Sequence, residues 1–288
     1  MHLRRSASKG FDHSCHKSEV PMLKIIARMS RYSFLFLAVY LVLILFMPPQ
    51  SFSSHGNLNL PRLPAPEEYG DVLIDKFSGA KKVMPVIFSH WVHRPKYTCR
   101  VCHVELEFSM KSSDTGVVCG GGEMTGKYCT ACHDGKTSFA PKGPEGKNCD
   151  RCHNANASPN RKKFEELKAK MPASEFGDGI DWSKALTDGV INPKKSIKED
   201  KFTPMIMTTK LSLEAEMGGI PPAVFPHKIH AEWNDCDMCH PDIFNIKKKT
   251  TKHFAMRRIL NKEFCGVCHL RIAFPLDDCK RCHPAMKR

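Results

Sequence analysis

Apolar residues of this chain are concentrated in one continuous run near its N-terminus. Residues 34–47 (FLFLAVYLVLILFM) are all apolar, with Arg28 and Arg31 before them and two prolines after them. A membrane-spanning helix needs about 20 residues, whereas a basic flank before a shorter apolar segment is typical of a secretory signal. We therefore expect residues 1–53 to be a signal peptide, cleaved after Ser53, with an uncleaved membrane anchor as the alternative.

Helical spacing of apolar residues recurs in the middle of the chain. Phe164, Leu167 and Met171 stand at positions i, i+3 and i+7, and this spacing predicts a short amphipathic helix. Ser158, which a proline follows, is predicted to cap the N-terminus of the helix. Pro172 is predicted to end it.

Most of the remaining chain shows neither helical nor strand periodicity. The sequence contains 20 Pro and 18 Gly, which favour turns over regular elements. A further turn or two of helix is predicted over Asp181–Thr187, ended by Gly189. We therefore expect a mostly irregular fold with a few short α-helices and little sheet.

Cysteine spacing carries the strongest chemical signal. Twelve of the 14 cysteines fall into six copies of C-x-x-C-H, the spacing of c-type haem attachment. Two thiols three positions apart reach the two vinyl groups of one porphyrin, and the following histidine ligates the iron. The copies are Cys99-Cys102-His103, Cys129-Cys132-His133, Cys149-Cys152-His153, Cys236-Cys239-His240, Cys265-Cys268-His269 and Cys279-Cys282-His283.

Zinc ribbons and disulfides also use cysteine pairs, but neither accounts for this pattern. Zinc does not require a histidine directly after every second cysteine, and disulfide scaffolds are typical of much shorter chains. The sequence therefore predicts six covalently bound haems c. Because c-type haem is attached outside the cytoplasm, an exported, periplasmic protein is expected. The porphyrins would supply most of the core.

The six motifs form two groups of three, which indicates an internal duplication. Each group opens with Phe-x-His-x-x-His, and its first histidine precedes the first motif cysteine by nine residues. These openings are Phe88, His90 and His93 in one group, and Phe225, His227 and His230 in the other. We predict an N-terminal extension (54–85), a first trihaem unit (86–155), a connector (156–222) and a second unit (223–288). The predicted helix in the connector would pack on a haem face or bridge the two units.

The haem region holds five histidines outside the motifs: His90, His93, His227, His230 and His253. Four of them occupy identical places in the two repeats, just before a haem site. Axial ligation of iron is the expected role of these side chains.

A formal net charge of +14 raises the possibility of a nucleic-acid partner. The predicted signal carries +5 of it, and twelve haem propionates would reduce the remainder to roughly +3 in the oxidised protein. We therefore expect no nucleic-acid partner. Other redox proteins are the expected partners, and only the signal or anchor segment is expected to contact a membrane.

These features resemble the class III multihaem cytochromes, the c3 and c7 type, and above all tandem trihaem c7-type units. The resemblance covers residues 62–288 and includes segments such as KYCTACHDG and EFCGVCHLRIAFPLDDCKRCH. It implies two axial protein ligands for each iron. Carried over to this sequence, it pairs His90 with His103, His93 with His133, His227 with His240, and His230 with His269.

The third haem of each unit departs from the family pattern. No histidine lies between His103 and Cys129, so Met124 is the predicted sixth ligand opposite His153, with Cys119 and Met110 as alternatives. Opposite His283, we predict His253, with Met256 as the alternative.

The leading functional hypothesis is electron transfer without catalysis. Irons with two strong protein ligands pass electrons but have no open position for substrate. The resemblance implies a carrier in anaerobic respiration, with extracellular metal oxides as one acceptor to consider. The alternative is a nitrite, hydroxylamine or tetrathionate reductase that uses a haem with an open or weak sixth position.

Overall fold

The computed structural model describes residues 60–112, 114–116, 126–142, 148–155, 160–245 and 255–287. The predicted signal peptide lies outside these residues. Within them, no helix is both long and apolar enough to cross a membrane.

Regular elements are few and short, as the sequence predicts. The strands are β1 (Asp71–Ile74), β2 (Val86–Ser89), β3 (Lys210–Leu213) and β4 (Ala223–Pro226). The α-helices are α1 (Ser78–Lys81), α2 (His90–His93), α3 (Arg161–Lys168), α4 (Trp182–Thr187), α5 (His227–Trp233), α6 (Met256–Leu260), α7 (Gly266–His269) and α8 (Cys279–Cys282). Short 3₁₀ or π-helical segments cover Pro66–Glu68, Val101–Glu105, Tyr128–Ala131, Cys149–Arg151 and Cys236–Met238, and the remaining described segments are turns and irregular chain.

The strands form two antiparallel pairs that occupy equivalent places in the two repeats. β1 pairs with β2, and Val72 lies opposite Phe88; β3 pairs with β4, and Leu211 lies opposite Phe225. In each pair, the second strand leads directly into the helix that carries the two opening histidines, α2 or α5. The first strand of each pair, β1 or β3, lies in a segment that was predicted to be outside the trihaem unit. Each Phe-x-His-x-x-His opening is therefore hydrogen-bonded to the segment that precedes its unit.

The connector contributes to an apolar core that it shares with both predicted units. Phe164 of α3 is fully buried and packs edge-on against Trp91, with ring centroids 5.3 Å apart. The same cluster contains Trp182 of α4 and Trp233 of α5. Residues of the connector and of both predicted units therefore share one core, which agrees with the bridging role expected of the helix.

Both connector helices form, but one predicted cap is wrong. Asn160, not Ser158, caps α3, because its side chain accepts a hydrogen bond from Lys163 N–H. This helix also ends at Lys168, before Pro172. Helix α4 agrees with the prediction: Asp181 caps it, and Gly189 follows its end at a positive φ of 70°.

The first motifs of the two repeats lie against each other. Arg100, inside the motif at Cys99, donates a hydrogen bond of 2.7 Å to Asp235, which directly precedes Cys236. Arg100 also pairs with the buried carboxylate of Glu105. This ion-pair network joins the two haem-motif turns, which are 135 residues apart along the chain.

Candidate haem-binding sites

Each motif lies on one short helical turn that brings its histidine close to its first cysteine. In five motifs the histidine N–H donates to the carbonyl of the first cysteine at 2.8–2.9 Å. In the first motif, His103 lies within the helical turn Val101–Glu105. None of the twelve motif cysteines, all of which lie in the described part of the chain, forms a disulfide. The turn thus presents two thiols and one imidazole together, as thioether attachment and axial ligation require.

All ten described candidate histidines hold their ring in the same way. The Nδ1 atom of each lies 2.5–3.3 Å from a backbone carbonyl oxygen. A carbonyl can only accept, so Nδ1 carries the hydrogen and Nε2 keeps its lone pair for a metal. The residues are His90, His93, His103, His133, His153, His227, His230, His240, His269 and His283.

Two of the implied axial pairs have the ring separation that one shared iron requires. The centroids of His93 and His133 are 6.3 Å apart, and those of His230 and His269 are 6.2 Å apart. Two imidazoles that share a metal at a metal–nitrogen distance of about 2 Å have ring centres roughly 6 Å apart. The residues present therefore fit a haem iron between each pair.

The opening phenylalanines fix the orientation of the distal imidazoles. The ring of Phe88 stacks on His93 at 4.6 Å, and that of Phe225 stacks on His230 at 4.2 Å. Edge contacts to the first histidine of each opening, at 5.0 and 4.9 Å, are also equivalent. Because both openings share this arrangement, Phe88 and Phe225 position the candidate axial ligands in the same way.

A second pair of aromatic contacts repeats between the units. Phe108 and Phe244 accept the Nδ1 hydrogen bonds of His103 and His240 through their carbonyls. Their rings pack against Tyr128 and Phe264, respectively. Tyr128 and Phe264 each precede a motif cysteine and adopt positive φ angles of 47° and 51°. Such backbone strain in non-glycine residues tends to lie at functional sites, and here it recurs in both repeats.

Burial keeps several of these histidines neutral. Burial lowers the pKa of His90 and of His269 to about 4 and also lowers the pKa of His93, His103 and His230. Only a neutral imidazole offers a lone pair to a metal, so these rings are ready to ligate at neutral pH.

Several motif thiols are buried, which also affects their chemistry. Burial raises the pKa of Cys102, Cys265 and Cys268 to about 12. These sulfurs are poor nucleophiles in the folded chain, because only the thiolate reacts.

The proximal histidines of the third motifs also hold equivalent places. His153 Nδ1 lies 2.5 Å from the carbonyl oxygen of Met84, two residues before β2. His283 Nδ1 lies 2.7 Å from that of Pro221, two residues before β4. The duplication therefore includes the third haem site, which supports an equivalent role for both histidines.

The sixth ligands of these third haems stay predictions. Met124, Cys119 and His253 lie outside the described residues. The other two candidates are described: Met110 lies in a bend, and Met256 begins α6, and both are half-buried.

Comparison with known proteins gives one family match. The model for cytochrome c7 and related cytochrome c matches residues 86–164 and 223–284. No curated protein matches the chain.

Three solved structures are similar in sequence. The C-terminal hexahaem fragment of GSU1996 is 25% identical over 74% of this chain and 96% of its own, with a TM-score of 0.23. Dodecahaem cytochrome c GSU1996 is 26% identical over 70% of each chain, with a TM-score of 0.24. The N-terminal hexahaem fragment is 23% identical over 75% of this chain and 99% of its own, with a TM-score of 0.22.

Proposed function

We propose that this chain, whose two motif-bearing regions match the model for cytochrome c7 and related cytochrome c, is a periplasmic hexahaem electron carrier. It would carry electrons between other redox proteins in anaerobic respiration. Extracellular metal oxides would be one possible final acceptor of these electrons. Six C-x-x-C-H motifs support the haem count, and the predicted signal segment supports export.

The paired imidazoles carry this proposal. His93 faces His133, and His230 faces His269, each pair at the separation of two ligands on one iron. The bound haem supplies an iron that changes oxidation state by one electron. The two imidazoles of each pair would both bind the iron, and no position would then be left for a substrate at these two sites.

The chain also holds the ligands rigidly. Each of the four paired rings is anchored through Nδ1 to a backbone carbonyl, and Phe88 or Phe225 covers the distal ring. A ligand set that stays in place in both oxidation states keeps the reorganisation on electron transfer small. Rigid paired ligation therefore favours a carrier over a catalyst.

Mass spectrometry and a redox titration test the proposal. The denatured mature protein should carry six haem masses and lack residues 1–53, and fractionation should place it in the periplasm. The native protein should take up six electrons over a broad potential range, with no turnover of nitrite, hydroxylamine or tetrathionate. Fewer than six haems, a cytoplasmic holoprotein, or rapid turnover of any of these substrates would contradict it.

A further inference from the structure

A glycine of the first repeat is replaced by a threonine in the second, at the place where the first opening histidine is held. Gly70 directly precedes β1, and its carbonyl oxygen lies 2.6 Å from His90 Nδ1. Thr209 directly precedes β3, and its carbonyl oxygen lies 3.2 Å from His227 Nδ1. The two positions are equivalent, but only the second has a side chain that can form a hydrogen bond.

The threonine hydroxyl is a second partner of the same ring nitrogen. Thr209 Oγ1 lies 3.1 Å from His227 Nδ1, and the carbonyl oxygen of the same residue lies 3.2 Å away. A ligating ring keeps the lone pair of Nε2 for the metal, so Nδ1 carries the hydrogen and both oxygens accept it. In the second repeat the hydrogen is therefore shared between two acceptors.

The carbonyl of Thr209 is also less available to the ring than the carbonyl of Gly70. Each carbonyl accepts from the backbone N–H of its histidine as well, at 3.4 Å in the first repeat and 3.1 Å in the second. The carbonyl of Gly70 thus lies much nearer to the ring nitrogen than to the backbone nitrogen, whereas that of Thr209 divides itself between them. The hydroxyl supplies the part of the interaction that this carbonyl does not.

The backbone and a neighbouring ring maintain the difference between the repeats. Gly70 has a positive φ of 89°, which glycine adopts readily and a threonine would adopt only under strain. In the second repeat, Phe225 packs edge-on against His227, with ring centroids 4.9 Å apart. This contact restricts rotation of the imidazole from the hydroxyl towards the carbonyl.

On the premise of the proposed function, in which His227 and His240 share one iron, we propose that Thr209 is a positioning residue whose hydroxyl lowers the reduction potential of the haem attached at Cys236. A hydrogen-bond acceptor at Nδ1 holds the ring in place and raises the basicity of Nε2. A more basic axial ligand stabilises ferric iron relative to ferrous iron, and hydrogen bonds behind the ligand are one of the ways in which a protein sets a haem potential.

Removal of the hydroxyl should raise this potential by a modest amount. Thr209→Val puts a methyl group of similar size in place of the hydroxyl, so water cannot replace it as an acceptor. For one shared, solvent-exposed hydrogen bond, we expect the ferrous-to-ferric ratio of this haem to rise about two- to threefold at a given potential. For a one-electron couple, this ratio corresponds to about 20–30 mV. Because Thr209 is exposed, the substitution should leave the fold intact.

A haem-resolved redox titration by NMR tests the proposal. In Thr209→Val, the haem at Cys236 should titrate at the higher potential, and the His227 Nδ1–H resonance of the reduced protein should move upfield as its hydrogen bond weakens. Thr209→Ser keeps a hydroxyl and should restore both values towards those of the wild type. Thr208→Val changes the neighbouring exposed threonine, so it serves as the matched control and should change neither value.

An unchanged or lowered potential in a Thr209→Val protein with six low-spin haems would overturn the proposal. Equal shifts in Thr209→Val and Thr209→Ser would assign Thr209 a structural role and would also refute it. If Thr209→Val does not mature, a proton contact between His227 Nδ1–H and the Thr209 side chain in the reduced wild type decides: its presence supports the hydrogen bond, and its absence refutes it. A wild type with fewer than six haems would instead contradict the proposed function, so the two failures are distinguishable.

Discussion

Replacement of one distal histidine should open one iron among six. The rings of His230 and His269 are 6.2 Å apart, so an iron midway lies about 3.1 Å from each ring centre, which leaves about 2 Å to each Nε2. In His230→Gly, this iron loses one of its two nitrogens. Phe225, which stacks on His230, has no donor atom to replace it.

The variant should show one high-spin haem and should bind one more CO per protein than the wild type. About one-sixth of the haem absorbance should change, because the other five irons keep their ligands. CO titration of the reduced protein, followed in the Soret band, measures this increment. Subtraction of the wild-type value removes any contribution from the third haems.

Two matched variants control the experiment. His93→Gly in the first unit should give the same increment, since its ring faces His133 at 6.3 Å. Phe225→Leu keeps both imidazoles and removes only the ring that positions His230, so it should perturb the spectrum of that haem without adding a CO site. Added imidazole should restore the His230→Gly spectrum. An unchanged CO count in His230→Gly would show that His230 does not ligate, and our assignment of the pair would be refuted.

Four further outcomes are expected. Phe164→Ala should lower the free energy of unfolding by about 3–5 kcal/mol in chemical denaturation, because the fully buried ring leaves a cavity. Burial alone would raise the pKa of Glu105, but hydrogen bonds from Ile197 N–H, Ser196 and Arg100 outweigh burial and lower the pKa. The wild type should therefore be more stable than Glu105→Gln above pH ~4.3, where the carboxylate is ionised in both the folded and the unfolded chain. This difference in the free energy of unfolding should disappear as the pH falls further. Gly266→Ala should reduce the yield of mature protein, measured by haem stain, since a Cβ would overlap the carbonyl of Ile259. Met124→Ala should lower one haem potential or open one iron to CO, because a thioether ligand favours ferrous iron; an unchanged titration would exclude Met124.

The sequence predicted which thiols and imidazoles lie together in each motif, and their binding of haem stays a prediction. Thiol and imidazole positions in C-x-x-C-H are set by covalent spacing over five residues, and one helical turn brings them together in every motif. Equal spacings between histidines and motif cysteines predicted the duplication. The structure shows equivalent contacts in the two repeats, including the stacking of Phe88 and Phe225 on a histidine ring. The low content of regular structure followed from composition.

Local signals were less reliable where several residues could serve the same purpose. Ser158 and Asn160 are both good helix caps, and only the path of the chain decides that Asn160 accepts from Lys163. Strand β1 was not predicted, because a segment of four residues is too short for its apolar periodicity to distinguish a strand from irregular chain.

The sequence alone thus predicted the haem attachment points, the candidate axial histidines and the repeat, because each depends on short spacings between residues along the chain. The tertiary structure alone revealed the carbonyl behind each imidazole, the Arg100–Asp235 pair and the position of Arg94 between the rings of Trp182 and Trp233. Backbone carbonyls have no sequence signature, and contacts such as Arg94 to Ile272 join residues 178 positions apart. Such contacts depend on how the whole chain packs, and no local sequence pattern predicts them.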